Sequence, residues 1–328
     1  MPTNNALWWT KSINPNPGCS KVSDACQNCY ALNFAWRHAH NPKTKDRYEG
    51  LVEKKKGIIN WTGKTNWIPS ELAKVAHWNK PQQIFVNDMG DTFHPDNDLT
   101  QIAAIYGTAL ACPDHTFMLL TKRPWRAVEF FEWLDKAAKK GMPDTVRFAG
   151  LCATIAQRTV DGISLQLMAQ TIIGGLANRK EEWDGWPPKN LWLGVTIENR
   201  KHLLERWNCL VKAPAAVYFI SGEPLLGPLD ISICDPIPSW VITGGETGPG
   251  ARPMHPYWAR RVRDDCAAAG VPFFFKQHGE WYPTRPEDKK PFGELKCKEW
   301  NGGNCAWRVG KKRAGRLLDG VEHNEYPT

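Results

Sequence analysis

The sequence contains no uninterrupted apolar run that approaches the roughly 18 residues a membrane-spanning helix needs. Its first ten residues also lack the charged segment and following apolar stretch that mark a secretory signal peptide. Internal repeats and low-complexity tracts are absent, which argues against solenoid and disordered classes. We therefore expect a soluble, cytoplasmic protein without a membrane partner.

The excess of positive over negative charge is also small. The chain has 42 Lys and Arg against 34 Asp and Glu, a net charge of +8 over 328 residues. This excess permits a polyanionic partner but does not require one. Hydrophobic residues make up 42% of the chain, enough for a sizeable core. The 17 Trp residues are unusually many, and we expect most of them to lie in that core.

Short apolar segments alternate with helical segments along most of the chain. Seven segments have the composition of buried parallel strands: Leu7–Ile13, Ile84–Val86, Thr116–Leu120, Leu191–Ile197, Val217–Ile220, Trp240–Thr243 and Pro272–Phe275. Helical periodicity appears between them, in Leu99–Ala111, Arg200–Val211 and Tyr257–Ala269. This alternation predicts an α/β fold with a parallel sheet. Six or seven β/α units predict an incomplete TIM-like (β/α)6–7 barrel, with an open sheet as the alternative.

The domain organisation follows from where this rhythm breaks. We place the barrel in residues 1–284. Residues 41–80 interrupt it with a basic, Trp-containing insertion, and residues 126–190 interrupt it with two or more extra helices. Residues 285–328 fit neither pattern and predict a C-terminal appendage.

Three of the ten cysteines lie close together in the sequence. Cys19, Cys26 and Cys29 have the spacing C-x6-C-x2-C, directly after the first predicted strand and before a predicted helix. Clustered thiolates indicate a soft metal centre. A structural zinc site needs four ligands, and neither a His nor a fourth Cys follows nearby. Three cysteines instead suit a [4Fe–4S] cluster with one open iron, to which the amino and carboxylate groups of S-adenosylmethionine (SAM) can bind.

The sequence alone leaves two alternatives to this cluster open. A distant ligand could complete a zinc site, or the spacing could be a coincidence. The other seven cysteines are scattered, and most suit the role of small buried hydrophobes. Cys297 and Cys305 lie in a Gly-rich segment and are a candidate pair for a second metal.

Polar residues follow nearly every predicted strand, at the positions where a β/α barrel places its chemistry. Asp88 and Asp91 are candidates for the ammonium of SAM, and Lys122 or Arg123 for its carboxylate. Hydrogen-bond acceptors at later strand ends suit the ribose hydroxyls. The candidate cofactor-binding residues are therefore Asp88, Asp91, Lys122, Arg123, Glu198, Asn199, Glu223 and Glu246. The sequence singles out no catalytic residue.

These motifs also resemble a phage- and prophage-associated family of radical-SAM-like proteins of unknown function. The resemblance covers most of the chain and is carried by residues 18–23, 26–31, 91–94, 120–124, 192–195, 223–228, 244–254, 273–277 and 310–320. It implies a radical-SAM barrel in which Cys19, Cys26 and Cys29 hold the cluster. It implies no substrate, and for a phage-encoded protein the location would be the host cytoplasm.

Three functional hypotheses follow. The first is a radical-SAM enzyme that modifies a nucleic-acid base or nucleotide, in DNA or RNA, with flavodoxin or ferredoxin as electron donor. The second is a radical-SAM enzyme that acts on a small metabolite, amino acid or peptide. The third is a metal-stabilised nucleic-acid-binding module without turnover. Two basic clusters are relevant to the first hypothesis. One consists of Lys54–Lys56 and Lys64 beside Trp61 and Trp67, and the other consists of Lys311–Arg313 and Arg316.

Overall fold

The computed structural model describes residues 7–138, 144–163, 186–285 and 295–327. Its main sheet has seven parallel strands, curled into a half-barrel, in the order β1-β4-β5-β6-β7-β8-β9. The strands are β1 (Lys11–Ile13), β4 (Gln83–Val86), β5 (Thr116–Thr121), β6 (Leu191–Thr196), β7 (Val217–Gly222), β8 (Trp240–Gly244) and β9 (Phe273–Gln277). Each lies within or next to a predicted strand, so the parallel α/β fold is confirmed.

Helices lie between most consecutive strands of this sheet, as the sequence predicted. The α-helices of the described residues are α1 (Tyr30–Ala39), α2 (Lys45–Tyr48), α3 (Pro69–Ala73), α4 (Leu99–Ala111), α5 (Pro124–Ala137), α6 (Asp144–Thr159), α7 (Arg200–His202), α8 (Asn208–Leu210), α9 (Pro256–Ala269) and α10 (Lys311–Ala314), the last of which follows β9. A π-helical turn, Leu203–Trp207, joins α7 to α8. The single helix expected at Arg200–Val211 is therefore interrupted. No helix in the described part of the chain is long and apolar enough to cross a membrane.

The two interruptions of the barrel have structures of their own. Residues 41–80 hold a β-hairpin, β2 (Val52–Lys55) with β3 (Ile58–Trp61), between α2 and α3. Of residues 126–190, the described part holds most of α5 and all of α6. Helix α6 packs tightly on α4, since a Cβ at Gly107 would lie 2.2 Å from the Cys152 carbonyl oxygen.

A second, antiparallel sheet follows the barrel. Its strands are β10 (Trp281–Thr284), β11 (Cys297–Glu299) and β12 (Cys305–Arg308), in the order β10-β12-β11. The small sheet thus begins at Trp281, slightly before the expected boundary at residue 285. The chain then returns to the barrel, where Asn324 bridges to Phe274 of β9.

Aromatic side chains fill the concave side of the half-barrel. Trp8, Phe85, Phe219, Trp240 and Phe274 are buried together, with Trp8 and Phe85 ring centroids 4.7 Å apart. The C-terminal segment covers the start of β8, because the Trp240 indole donates a 2.8 Å hydrogen bond to the Glu325 carbonyl. The bottom of the half-barrel is therefore occupied by side chains, as in the packed interior of a TIM barrel. Its other end, at the C-terminal ends of the strands, contains a cavity.

Candidate metal centre

The cysteine loop lies over the C-terminal ends of the strands. It follows β1, and Gly18 forms a bridge with Gly90 just after β4. Neither glycine can be replaced easily: a Cβ at Gly18 would lie 2.3 Å from the Lys64 carbonyl oxygen, and one at Gly90 would lie 2.3 Å from that of Asn16. Gly18 also has a φ of +108°, which other residues rarely adopt. These close backbone contacts fix where Cys19 enters the site.

All three cysteines of the loop line the same cavity. Each thiol is partly buried. Cys29 occupies the N-cap position of α1, without a capping hydrogen bond from its side chain. The wall of the cavity also includes residues from the ends of the strands, among them Asp88, Lys122, Glu223, Glu246 and Lys276. The structure thus brings most of the predicted site residues together around the three thiols.

Burial and nearby positive charges act in opposite directions on the pKa values of the metal-free thiols. Burial raises the pKa of Cys19 to about 11, despite the nearby Arg123 guanidinium. Burial also acts to raise the pKa of Cys26, but the Lys122 ammonium and hydrogen bonds from the loop outweigh it, so that pKa is lowered. Arg123 Nη1 lies 3.7 Å from Cys19 Sγ, and Ser23 Oγ lies 3.8 Å from Cys26 Sγ. A guanidinium and a hydroxyl group therefore lie beside two of the three thiols.

The first of three carboxylates that hold the loop is Asp91, at the end of β4. It is buried and forms an ion pair with Arg123, 2.8 Å from Oδ2 to Nη1. Arg123 Nη2 in turn donates 2.8 Å hydrogen bonds to the carbonyl and hydroxyl oxygens of Ser20. Asp91 also accepts from the Thr121 hydroxyl at 2.7 Å. With the backbone N–H groups of Phe93 and Lys122, it has four donors for about four acceptor positions.

The second carboxylate is Glu198, which follows β6. It is fully buried, accepts a 2.6 Å hydrogen bond from the Ser23 hydroxyl, and pairs with Arg206 at 3.0 Å. Burial acts to raise the pKa of Glu198, but Lys122, Arg206 and the Ser23 hydroxyl lower it overall. Glu198 therefore holds the middle of the cysteine loop rather than lining the cavity.

The third carboxylate is Glu246, which follows β8. It accepts a 3.1 Å hydrogen bond from the Asn28 side chain and pairs with Arg252 at 2.6 Å. Arg252 also donates to the Asp24 carbonyl oxygen at 3.1 Å. The carboxylate accepts four hydrogen bonds in all, three of them from Arg252, so its acceptor positions are filled.

The eight predicted cofactor-binding residues therefore fall into different positions. Asp91, Arg123, Glu198 and Glu246 are engaged in holding the cysteine loop. Asn199 caps α7, where its side chain accepts from the His202 N–H. Asp88, Lys122 and Glu223 line the cavity with capacity for a ligand. The sequence prediction did not assign Ser23, Asn28, Arg206 and Arg252 to the site. Ser23 and Asn28 lie within the cysteine motif, but the carboxylates they bond are 175 and 218 residues away. Arg206 and Arg252 lie only 8 and 6 residues from Glu198 and Glu246.

The spacing of the sulfurs bears on which metal group fits. In the described residues, one set of three or more potential ligand atoms lies within 4.8 Å of one another, and it does not include Cys19, Cys26 or Cys29. Thiolates on one tetrahedral zinc ion would lie only about 3.8 Å apart, given Zn–S bonds of about 2.3 Å. A [4Fe–4S] cluster binds each thiolate to a different iron and so separates them further. The three loop thiols are therefore not close enough together to bind one zinc ion as a set.

Comparisons with known proteins give one match. The model of the family described as "Protein of unknown function (DUF5131)" matches residues 4–327. No curated protein and no solved structure matches the chain.

Proposed function

The chain belongs to the DUF5131 family of proteins of unknown function, and we propose that it is a radical-SAM enzyme that modifies a nucleic-acid base or nucleotide. One observation carries the proposal. Three thiols share one cavity with polar residues from the C-terminal ends of the parallel strands. That end of an α/β barrel is where enzymes of this architecture bind ligands and carry out chemistry.

Cys19, Cys26 and Cys29 would hold a [4Fe–4S] cluster and leave one iron open. When bound and reduced by a one-electron donor such as flavodoxin or ferredoxin, the cluster would cleave SAM and supply radical chemistry. The protein's own contribution is to fix the thiols. Asp91, Glu198 and Glu246 fix them by holding the loop at Ser20, Ser23 and Asn28.

The residues that would hold SAM are those with unused hydrogen-bonding capacity. Asp88 is half-buried in the cavity wall. It accepts hydrogen bonds from the Asn14 amide at 2.6 Å, from Ser12 and from its own backbone, three donors for about four acceptor positions, which leaves room for the ammonium. Lys122 presents its ammonium to the same cavity and would pair with the carboxylate. Glu223 accepts from Trp8, Ser221 and Lys276, three donors for about four acceptor positions, which leaves room for a ribose hydroxyl.

The surroundings of the cavity support a nucleic-acid substrate. Trp61 lines the cavity and ends the β2–β3 hairpin, on which Lys54, Lys55 and Lys56 are exposed. Lys311 lies near enough to Lys276, which lines the cavity, for the two charges to interact. Lysines close to an aromatic-lined cavity suit binding of a phosphate backbone and entry of a base. Trp67, by contrast, packs against the core and is not part of this surface.

The test is anaerobic assembly of the cluster, followed by reduction with dithionite in the presence of SAM. The proposal expects release of 5′-deoxyadenosine and loss of that activity in Cys26→Ala. Zinc without iron or sulfide would favour the metal-stabilised binding module. SAM cleavage without salt-sensitive binding to any DNA or RNA would favour a small-molecule or peptide substrate.

A further inference from the structure

The small C-terminal sheet contains a second set of potential metal ligands, remote in sequence from the cysteine loop. The thiols of Cys297 and Cys305 and the carboxylate of Glu299 have one ligand atom each within 4.8 Å of the others. In the described part of the chain this is the one such set. Its atoms are close enough to converge on a single ion, which the thiols of the cysteine loop are not.

Strand pairing explains why these three side chains meet. Glu299 of β11 lies directly opposite Cys305 of β12. Cys297 is two residues before Glu299, so the two side chains point to the same face of the sheet. The opposite face carries Ala306, which packs against Ala251 and Trp281 in a separate buried cluster. The convergence is therefore built into the register of the sheet.

The turn between the strands keeps this register. Gly302 and Gly303 have φ angles of +78° and +77°, which other residues rarely adopt. A 2.9 Å hydrogen bond from the Trp300 N–H to the Asn304 carbonyl closes the turn. Cys305 is buried, whereas Glu299 is exposed, and the Glu299 carboxylate makes no hydrogen bond or ion pair with the described residues. The carboxylate is thus available to a ligand.

We infer that Cys297, Glu299 and Cys305 bind one Zn²⁺ ion. Two thiolates and a carboxylate are donors that zinc prefers, and three protein ligands leave the fourth tetrahedral position to water. Binding replaces the protons of the two thiols, so two protons leave for each ion bound. The ion would hold β11 against β12. Strand β12 leads through Gly310 into α10 and its basic residues. Gly310 is itself held by a 3.1 Å hydrogen bond to the Glu280 carbonyl.

The experiment uses the full chain after anaerobic cluster assembly, so that the loop thiols are occupied. It is equilibrated with Zn²⁺, freed of excess metal, and analysed for zinc and iron by mass spectrometry, with affinity measured against a chromophoric chelator. The inference expects about one zinc per chain. Cys297→Ser and Cys305→Ser should lose it, and Glu299→Gln should bind it about tenfold more weakly or worse, as for other changes at metal sites. Cys209→Ser is the matched control and should keep it.

Iron content separates this inference from the proposed function, since the same variants should keep their iron. Glu299 is exposed, so Glu299→Gln tests the inference even where a cysteine substitution impairs folding. Zinc affinity unchanged in Glu299→Gln and Cys297→Ser would overturn it. A wild-type chain that binds no zinc, or that holds Cys297 and Cys305 as a disulfide under reducing conditions, would overturn it as well.

Discussion

Arg123 Nη1 lies 3.7 Å from the sulfur of Cys19 and 2.8 Å from Oδ2 of Asp91, so one guanidinium joins a buried carboxylate to a thiol of the candidate cluster site. The same guanidinium holds the carbonyl and hydroxyl of Ser20. Its planar set of donors can serve all these partners at once, which a lysine could not. Arg123 therefore helps to position the cysteine loop.

The first prediction concerns the stability of this buried pair. Asp91→Asn leaves the Arg123 charge buried without a counter-ion, and the loss of one partner of such a pair costs about 3–5 kcal/mol. Urea unfolding should show a decrease of that size in the free energy of unfolding. The control is Glu49→Gln, which breaks the exposed pair with Lys45 and should cost no more than about 0.5 kcal/mol. Equal effects of the two substitutions would contradict the structural role of Asp91.

The second prediction concerns the electronic effect of Arg123 on the cluster. A hydrogen bond to a thiolate stabilises the reduced, more negative cluster and so raises its reduction potential. Arg123→Lys keeps the positive charge but loses the fork that reaches both Asp91 and Cys19, so the potential should become more negative. An anaerobic redox titration followed by electron paramagnetic resonance measures this shift. Arg252→Lys is the control, because Arg252 bonds Glu246 and the Asp24 carbonyl rather than a thiol. An equally large shift of the reduction potential in this control variant would refute the proposed effect.

The third prediction concerns SAM binding by Asp88. Burial raises the pKa of Asp88, against hydrogen bonds from Asn14 and Ser12 that lower it. Because the ionised carboxylate would hold the ammonium, SAM affinity should fall as the pH falls through this raised pKa. The decline should begin at a higher pH than for an ordinary aspartate, whose pKa is about 3.9.

Equilibrium dialysis on the cluster-bound protein tests this dependence. Asp88→Asn should weaken SAM binding about tenfold or more, since hydrogen bonds to charged groups contribute about 1.5–3 kcal/mol, and it should flatten the pH profile. Asp114→Asn, an exposed residue before β5, should leave both unchanged. If Asp88→Asn retains wild-type affinity and pH dependence, another strand holds the ammonium.

The fourth prediction concerns the basic residues of α10. Each phosphate contact to a single strand contributes about 0.7 to the slope of log K against log salt. Replacing Lys311 and Lys312 with Gln should therefore reduce the steepness of that slope by up to about 1.4 for single-stranded DNA or RNA. SAM cleavage should not change. The control is Lys136→Gln with Lys212→Gln, which removes the same charge from exposed positions that do not line the cavity. This control should leave the slope unchanged. Equal slopes in the two double variants would show that α10 is not part of the binding surface.

The sequence predicted the architecture well because local patterns determine it. Buried parallel strands are short apolar runs, and Gly270, with a φ of +67°, ends α9 where the pattern placed the stop. The π-helical turn at Leu203–Trp207 was not predicted, since its residues have ordinary helical periodicity. The start of the small sheet at Trp281 was not predicted either, because strands of three or four residues carry little sequence pattern.

The roles of the polar residues were harder to predict. A carboxylate at a strand end has the same sequence signal whether it binds a ligand or holds a neighbouring loop. What distinguishes the two roles is a partner far away in the chain, such as Ser23 for Glu198 or Asn28 for Glu246, 175 and 218 residues apart. Single-sequence patterns carry no information on such pairs. The cysteine spacing was informative because all three side chains belong to one loop.

The iron and sulfide content of cysteine variants tests the central claim most directly. Anaerobically assembled wild-type protein should contain about four iron and four sulfide per chain, as one [4Fe–4S] cluster requires. Cys19→Ala, Cys26→Ala and Cys29→Ala should each lose the cluster, whereas Cys112→Ala and Cys209→Ala, at partly buried cysteines outside the loop, should keep it. A cluster that survives simultaneous replacement of Cys19, Cys26 and Cys29 would contradict the account.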